Sequence, residues 1–185
     1  MLKQMTTIAL LGLAACAAPA NRLALQPLPS QLELRPLVSS VMVRSVSLPS
    51  YAAAEELAVQ GATGLIETNE DVLWADAPER AVTLVITETL GDILNTDVGP
   101  DPWPFAGLAD VAVDIRVTQM IAGSDGMFRL TGQYFVGGDG INFPNSTHRF
   151  AMAQPMADQS LGSIAAAQAA ALLALSEDIA RKLAR

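Results

Sequence analysis

The clearest pattern in the chain is the alternation over residues 110–118. Val111, Val113, Ile115 and Val117 take one parity, and Asp110, Ala112, Asp114, Arg116 and Thr118 take the other. A period of two with one apolar side predicts a strand covered on one face and solvated on the other. Gly123-Ser124-Asp125-Gly126 turns the chain, after which Phe128, Leu130, Gly132, Tyr134 and Val136 alternate with Arg129, Thr131 and Gln133. The two runs therefore form a hairpin. A second turn at Gly137-Gly138-Asp139-Gly140 leads to a third strand over 147–153.

Two segments carry a helical period instead. Val82, Val85, Ile86, Leu90, Ile93 and Leu94 recur at three- and four-residue steps, which predicts one apolar helix face ending near Leu94. Asp76-Ala77-Pro78-Glu79 marks its start: Asp76 as the cap, Pro78 where no intrahelical donor is missed, Glu79 at capping-box spacing. Near the C-terminus, Asp158 or Ser160 caps a longer helix with the stripe Leu161, Ile164, Gln168, Leu172, Leu175, Ile179 and Leu183. Its last turn and end carry Arg181, Lys182 and Arg185, where cations suit the helix dipole.

The remaining segments are weaker. The β-branched run over 38–48 predicts a strand that Pro49 ends. Residues 50–60 fit either a helical turn or a strand, and 64–68 and 71–74 read as short extended pieces around Asn69. Gly99, Pro100, Pro102 and Pro104 make 95–107 a loop. Prolines 19, 27, 29 and 36 make 16–36 a tether, although Leu23 and Leu25 alternate and would suit a first edge strand that shortens it. The order of elements predicts one α/β domain of the α+β type over 37–185. It is a two-layer sandwich in which two amphipathic helices cover one face of a mixed, mainly antiparallel sheet.

The N-terminus changes the picture. Lys3, the apolar run Ile8 to Leu13 and the small Ala14-Ala15 form a secretory signal over residues 1–15, too short to span a bilayer as a helix. Cys16, the only cysteine of the 185 residues, follows at once. Leu13-Ala14-Ala15-Cys16 resembles the bacterial lipobox, which implies cleavage between Ala15 and Cys16 and a diacylglycerol and an N-acyl chain on Cys16. The alternative is an ordinary cleaved signal beside an incidental cysteine. In lipoproteins of this class an Asp after the cysteine commonly holds the protein in the inner membrane. Ala17 stands there instead, which implies the outer membrane with the domain in the periplasm.

Charge narrows the partners. The formal net charge is −8, and it becomes −9 once the signal and its Lys3 are removed. That balance argues against nucleic acid and against docking on anionic headgroups by charge. Aromatics make up 5% of the chain, so the core must rest on Val, Leu and Ile. No catalytic constellation emerges. Residues 136–142, VGGDGIN, lack the lysine and following helix of a phosphate loop. His148 has no ligand partner at metal spacing, and Asp110 and Asp114 read as solvated face residues. No metal or other cofactor is expected.

Two segments carry a wider resemblance. Val46-Ser47-Leu48-Pro49-Ser50-Tyr51, and Trp74-Ala75-Asp76 opening the helix at 76–94, resemble the auxiliary lipoproteins of ABC-type transport systems, the PqiC-like lipoproteins among them. Departures are the lack of aromatics at Arg22-Leu23-Ala24-Leu25, Asp76-Ala77 in place of Glu-Pro, and the stretch 53–56. The resemblance implies a non-enzymatic component of a lipid transport system. Its partners would be an MCE-domain protein and an inner-membrane permease, and a homo-oligomeric ring is compatible with it. Pro49, Tyr51, Trp103 and Phe105 are the candidate partner surface, because aromatics on loops favour recognition; the same side chains would serve equally as caps on the core.

Overall fold

A computed structural model of the protein describes residues 21–185. The signal segment, Ala15 and Cys16 lie outside the described residues. In chain order the elements are β1 (Asn21–Leu23), β2 (Ser40–Val43), α1 (Ser50–Ala53), β3 (Glu56–Gln60), β4 (Ile66–Trp74), α2 (Pro78–Leu94), β5 (Asp97–Pro100), β6 (Val111–Gly123), β7 (Met127–Gly138), β8 (Ser146–Pro155) and α3 (Leu161–Leu183).

The alternating run identified in the sequence is the spine of the sheet. Val111, Val113 and Ile115 are fully buried on the inner face of β6, with β7 and then β8 antiparallel on one side. A bulge between Val117 and Gln119 shifts the inward parity from odd to even, so Met120 and Ala122 continue the apolar face. This is why the sequence alternation stops at Thr118 while the strand runs on to Gly123. On the other side of β6 the sheet forks. The first residues pair with β2, which leads to the edge strand β5; the last two pair with β3, followed by β4 and the edge strand β1. The sheet is mixed and open, with antiparallel registers carrying most of the paired residues.

Helices α2 and α3 pack against each other and against the inner face, closing the expected two-layer sandwich around one apolar cluster. Ile86, Leu90 and Leu94 of α2 and Leu172, Leu175, Ile179 and Leu183 of α3 are fully buried. Helix α3 starts as expected, with the Ser160 hydroxyl accepting from the Ser163 amide at 3.3 Å. Donors from Ser160 and Ser163 hold the Asp158 carboxyl at about 2, below its usual 3.8. Its contribution is therefore complete above pH 3.8 and is lost as pH falls through 2. Asp158→Asn is expected to remove that part of the acid dependence, read from acid unfolding of wild type and variant.

Several local expectations need correction. Helix α2 has Ala77, not Asp76, at its N-cap, and no side chain caps it. Asp76 instead accepts from the Ala77 amide at 2.9 Å and pairs with Arg80. The strand expected over 38–48 is regular only from Ser40 to Val43; the Arg44 amide still donates to the Val113 carbonyl and Ser47 pairs again with Arg116, so the ladder is interrupted around Val46. The Val46 amide donates to Thr83 Oγ1 at 3.0 Å, and that hydroxyl donates to the Glu79 carbonyl at 2.6 Å. Thr83→Val keeps the shape and leaves a buried amide without a partner, so a loss of about 1–3 kcal/mol is expected in urea unfolding.

Residues 50–60 hold both alternatives in succession, a helical turn and then a strand. The extended pieces on either side of Asn69 are one strand, Ile66–Trp74, with an irregularity in its pairing. The loop expected over 95–107 contains β5; Pro100 is tolerated there because the strand is an edge.

The proline-rich segment also differs from a free tether over the described residues. Asn21–Leu23 forms the edge strand that the alternation of Leu23 and Leu25 allowed. Leu25, Leu32 and Leu34 pack on the core, and the Leu34 amide donates to the Ile93 carbonyl at 2.9 Å. Residues 21–36 thus belong to the packed domain.

The two ends of β6 organise the molecule. Where β6 starts, Leu37 donates to the Leu183 carbonyl at 2.8 Å, and the 139–141 turn folds over Asp110. Where β6 finishes lie the 123–126 turn, the 61–65 turn and the start of α3. Because β1 is parallel to β4, β4 antiparallel to β3, and β3 parallel to β6, β1 runs opposite to β6. The chain therefore enters the domain from the end where β6 finishes.

Candidate attachment and docking surfaces

The four loop residues proposed from sequence do not form one surface. Pro49 precedes α1, and its carbonyl accepts from the Ala52 and Ala53 amides. Tyr51 is half-buried, and its hydroxyl accepts from the Met120 amide at 3.3 Å. Trp103 and Phe105 sit beside β5, which joins the sheet through β2 opposite Val111 to Val113. Seven residues of β6 separate Val113 from Met120, roughly 23 Å at strand rise. Two of the four are held as covers: Tyr51 by its hydrogen bond and Trp103 by contact with Gly99, where an added Cβ would lie 3.0 Å from its ring. Phe105 remains 51% exposed, edge-on to Trp103 at a centroid distance of 5.0 Å.

Other exposed apolar side chains at the start of β6 went unnoticed in the sequence. Leu108 is 69% exposed and Ile141 45% exposed. They lie side by side because the amides of Asp139, Gly140 and Ile141 converge on the Asp110 carbonyl, and Gly140 rests against the Leu108 and Ala109 carbonyls. A side chain at Gly140 would stand 2.7 Å from the Ala109 carbonyl oxygen, which accounts for that glycine. The only sequence signal for the patch was a leucine and an isoleucine next to turns, where no period marks them.

The polar candidates have structural partners. Asp110 accepts from the Ser39 amide at 2.7 Å and fixes the entry to β2. Asp114 pairs with Arg116, whose guanidinium lies 5.2 Å from the Phe135 ring centroid. His148 stacks on Tyr134 at 4.9 Å and contacts the Ser146 hydroxyl at 3.0 Å. Tyr134, buried with its hydroxyl donating to Asp178 at 2.7 Å, has its pKa raised by burial and by that carboxylate. No group of three or more His, Cys, Asp or Glu that would hold a metal occurs among the described residues.

A cavity of about 210 Å³ lies between β1 and the first half of α2, lined by Leu23, Leu25, Trp74, Val82 and Leu84, with Gln168 of α3 at its base. Gln168 is 2% exposed, and its amide makes one long contact, 3.9 Å, to Met120 Sδ. A buried amide so poorly paired costs its desolvation, so Gln168→Met is expected to leave stability unchanged or raise it by about 1 kcal/mol. The midpoint of thermal or urea unfolding checks it.

Comparison with known proteins places these features in a family. A solved structure of an uncharacterized protein superposes with a TM-score of 0.71 at 18% identity, covering 89% of this chain and 99% of its own. A protein from Xanthomonas campestris, of a family described only as a domain of unknown function, superposes at 0.60 with 14% identity, covering 87% and 90%. At these identities the likeness is one of fold. No curated protein matches. The model of the ABC-type transport auxiliary lipoprotein component matches residues 23–180, from the edge strand through most of the last helix. The chain thus belongs to the ABC-type transport auxiliary lipoprotein family.

Proposed function

We propose that the protein is an outer-membrane-anchored periplasmic lipoprotein that serves, without catalysis of its own, as the docking component of an MCE/ABC-type intermembrane lipid transport system. The observation that carries the reading is the family match over 23–180, immediately downstream of a lipobox cysteine. In this reading Cys16 carries the diacylglycerol and N-acyl chains, and the domain receives an MCE-domain conduit reaching from an inner-membrane permease. The polarity of the fold supports it. The chain enters at one end of β6, and Leu108 and Ile141 are exposed at the other, away from the anchor.

A conduit that shields acyl chains needs an apolar seat, because each exposed methylene costs about 0.8 kcal/mol. The exposed apolar end of Leu108 and Ile141 replaces the Pro49 to Tyr51 turn as the proposed contact. The test is affinity purification from envelope membranes. An MCE-domain protein is expected to co-purify with wild type and to be lost or depleted with the Leu108→Asp and Ile141→Asp double variant. Recovery of porins or peptidoglycan in its place would support an envelope-bracing role instead.

A further inference from the structure

The turn between β3 and β4 lies at the end of the molecule where the chain enters. Residues 62–71 are all exposed, so this hairpin projects from the body of the sheet. At its tip Leu65 is 67% exposed and Ile66 is 44% exposed, on a stretch, 57–66, without a single charge. Two large aliphatic side chains on a projecting tip, whose nearest charge is the Glu67 carboxylate beside Gly61, belong against something apolar.

The pairing of β1 with β4 identifies what that is. Partners differ by 51 in residue number throughout, Asn21 with Val72, Arg22 with Leu73 and Leu23 with Trp74. The described chain begins at Asn21, level with Val72, and β1 runs away from the Ile66 end of β4. In distance, five residues ahead of Asn21 reach at most about 18 Å, close to the rise of β4 between Val72 and Ile66. Cys16 and the hairpin tip can therefore stand at one level, and whatever plane holds the acyl chains of Cys16 meets Leu65 and Ile66.

We infer that the β3–β4 hairpin is a second membrane contact, with Leu65 and Ile66 seated in the interface of the bilayer that holds the lipidated end. This rests on Cys16 being lipidated, as proposed above. Interfacial segments of this kind sit about 5–10 Å into the headgroup and acyl boundary. Glu67, Glu70 and Asp71 follow on the β4 arm, and no Lys or Arg occurs between Arg44 and Arg80. The surface that fits is therefore zwitterionic, and anionic headgroups would repel the arm. Two contacts in place of one would fix the tilt of the domain, which a single flexible attachment cannot do.

The test uses the mature full-length lipoprotein in phosphatidylethanolamine-rich vesicles. With Cys16 acylated, the Leu65→Cys variant carries the only free thiol, and an environment-sensitive dye on it reports its surroundings. Leu108→Cys, at the opposite end, is the control; both positions are exposed, so neither change disturbs the core. Dye at position 65 is expected to shift to the blue and to lose most of its emission to brominated acyl chains, while dye at 108 does neither. Replacing part of the lipid with phosphatidylglycerol is expected to weaken the effect at 65.

Protein that floats with the vesicles while dye at 65 reports water overturns the hairpin contact and leaves the anchor standing. Protein that does not float overturns the anchor and this contact together. A blue shift of the same size at 65 in the unlipidated Cys16→Ala, Leu65→Cys protein, with neither detergent nor vesicles present, assigns the tip to a second copy of the chain and overturns the membrane contact.

Discussion

Cys16→Ala is expected to move the protein from the membrane fraction to the soluble fraction and to abolish labelling by radioactive palmitate. The effect should be close to complete. One acyl chain gives only marginal, reversible binding, with an association constant on the order of 10⁴ M⁻¹, whereas two or three make attachment effectively permanent. Charge does not compensate, since a net balance of −9 after removal of the signal opposes attraction to anionic headgroups. The Leu65 and Ile66 tip is too small to hold the protein alone. Flotation and palmitate labelling check the expectation, and a labelled or membrane-retained variant would remove the basis for the anchoring role. If the proposed function holds, co-purification of an MCE-domain protein should fall as well, because tethering would concentrate the domain where a conduit ends.

The second large effect lies in the sheet. Gly132 of β7 sits opposite Val117, beside the bulge of β6. A Cβ there would lie 2.3 Å from the Arg116 carbonyl oxygen, 3.0 Å from Val117 Cα and 2.8 Å from the tip of the Phe150 ring. The ring can move, but the two backbone atoms belong to the central strand and cannot. Gly132→Ala is expected to destabilise the domain by about 3 kcal/mol, at the upper end for overpacking. Restriction of the unfolded chain returns only about 0.4–1 kcal/mol of that. Urea unfolding should show a lower midpoint with an unchanged slope. Gly64→Ala is a useful contrast: nothing lies within 4 Å of its Cβ, and its φ of +83° makes backbone strain the only cost.

These two sites show what sequence pattern reveals and what it hides. The expectation at Cys16 rests on a local signal, in which charge, apolar run, small residues and cysteine stand in immediate succession, and it lies outside the described residues. Gly132 read only as a small residue on the inward parity of a strand, and its near-contact with the Arg116 carbonyl depends on a bulge that no period announces. The long strand pair and both helices were legible because many consecutive positions repeat one demand. The failures are short or shared. β5 has four residues, two of them Gly99 and Pro100, and is a strand only because β2 offers it an edge. The run from 38 to 48 has the composition of one strand, yet Thr83 of α2 takes the Val46 amide and interrupts a pairing with β6 that resumes at Ser47. The partner surface was the least legible. Exposure of Leu108 and Ile141 comes from two turns meeting over Asp110, and protection of Tyr51 comes from Met120, contacts between distant parts of the chain; Trp103 is covered by Gly99, four residues away.

The direction of β1 has a mechanical consequence. Its N-terminal end points the way the chain enters, so a pull from an anchored Cys16 acts along the strand rather than across it. Such a pull loads the β1–β4 hydrogen bonds together, in shear, along with the Ala75 amide on the Leu23 carbonyl at 2.9 Å and Arg22 on the Trp74 carbonyl at 3.0 Å. A strand peeled from its side would surrender the same bonds one after another. The short edge strand thus acts as a fastening whose strength is directional, greatest for a load applied along β1 from the N-terminal side.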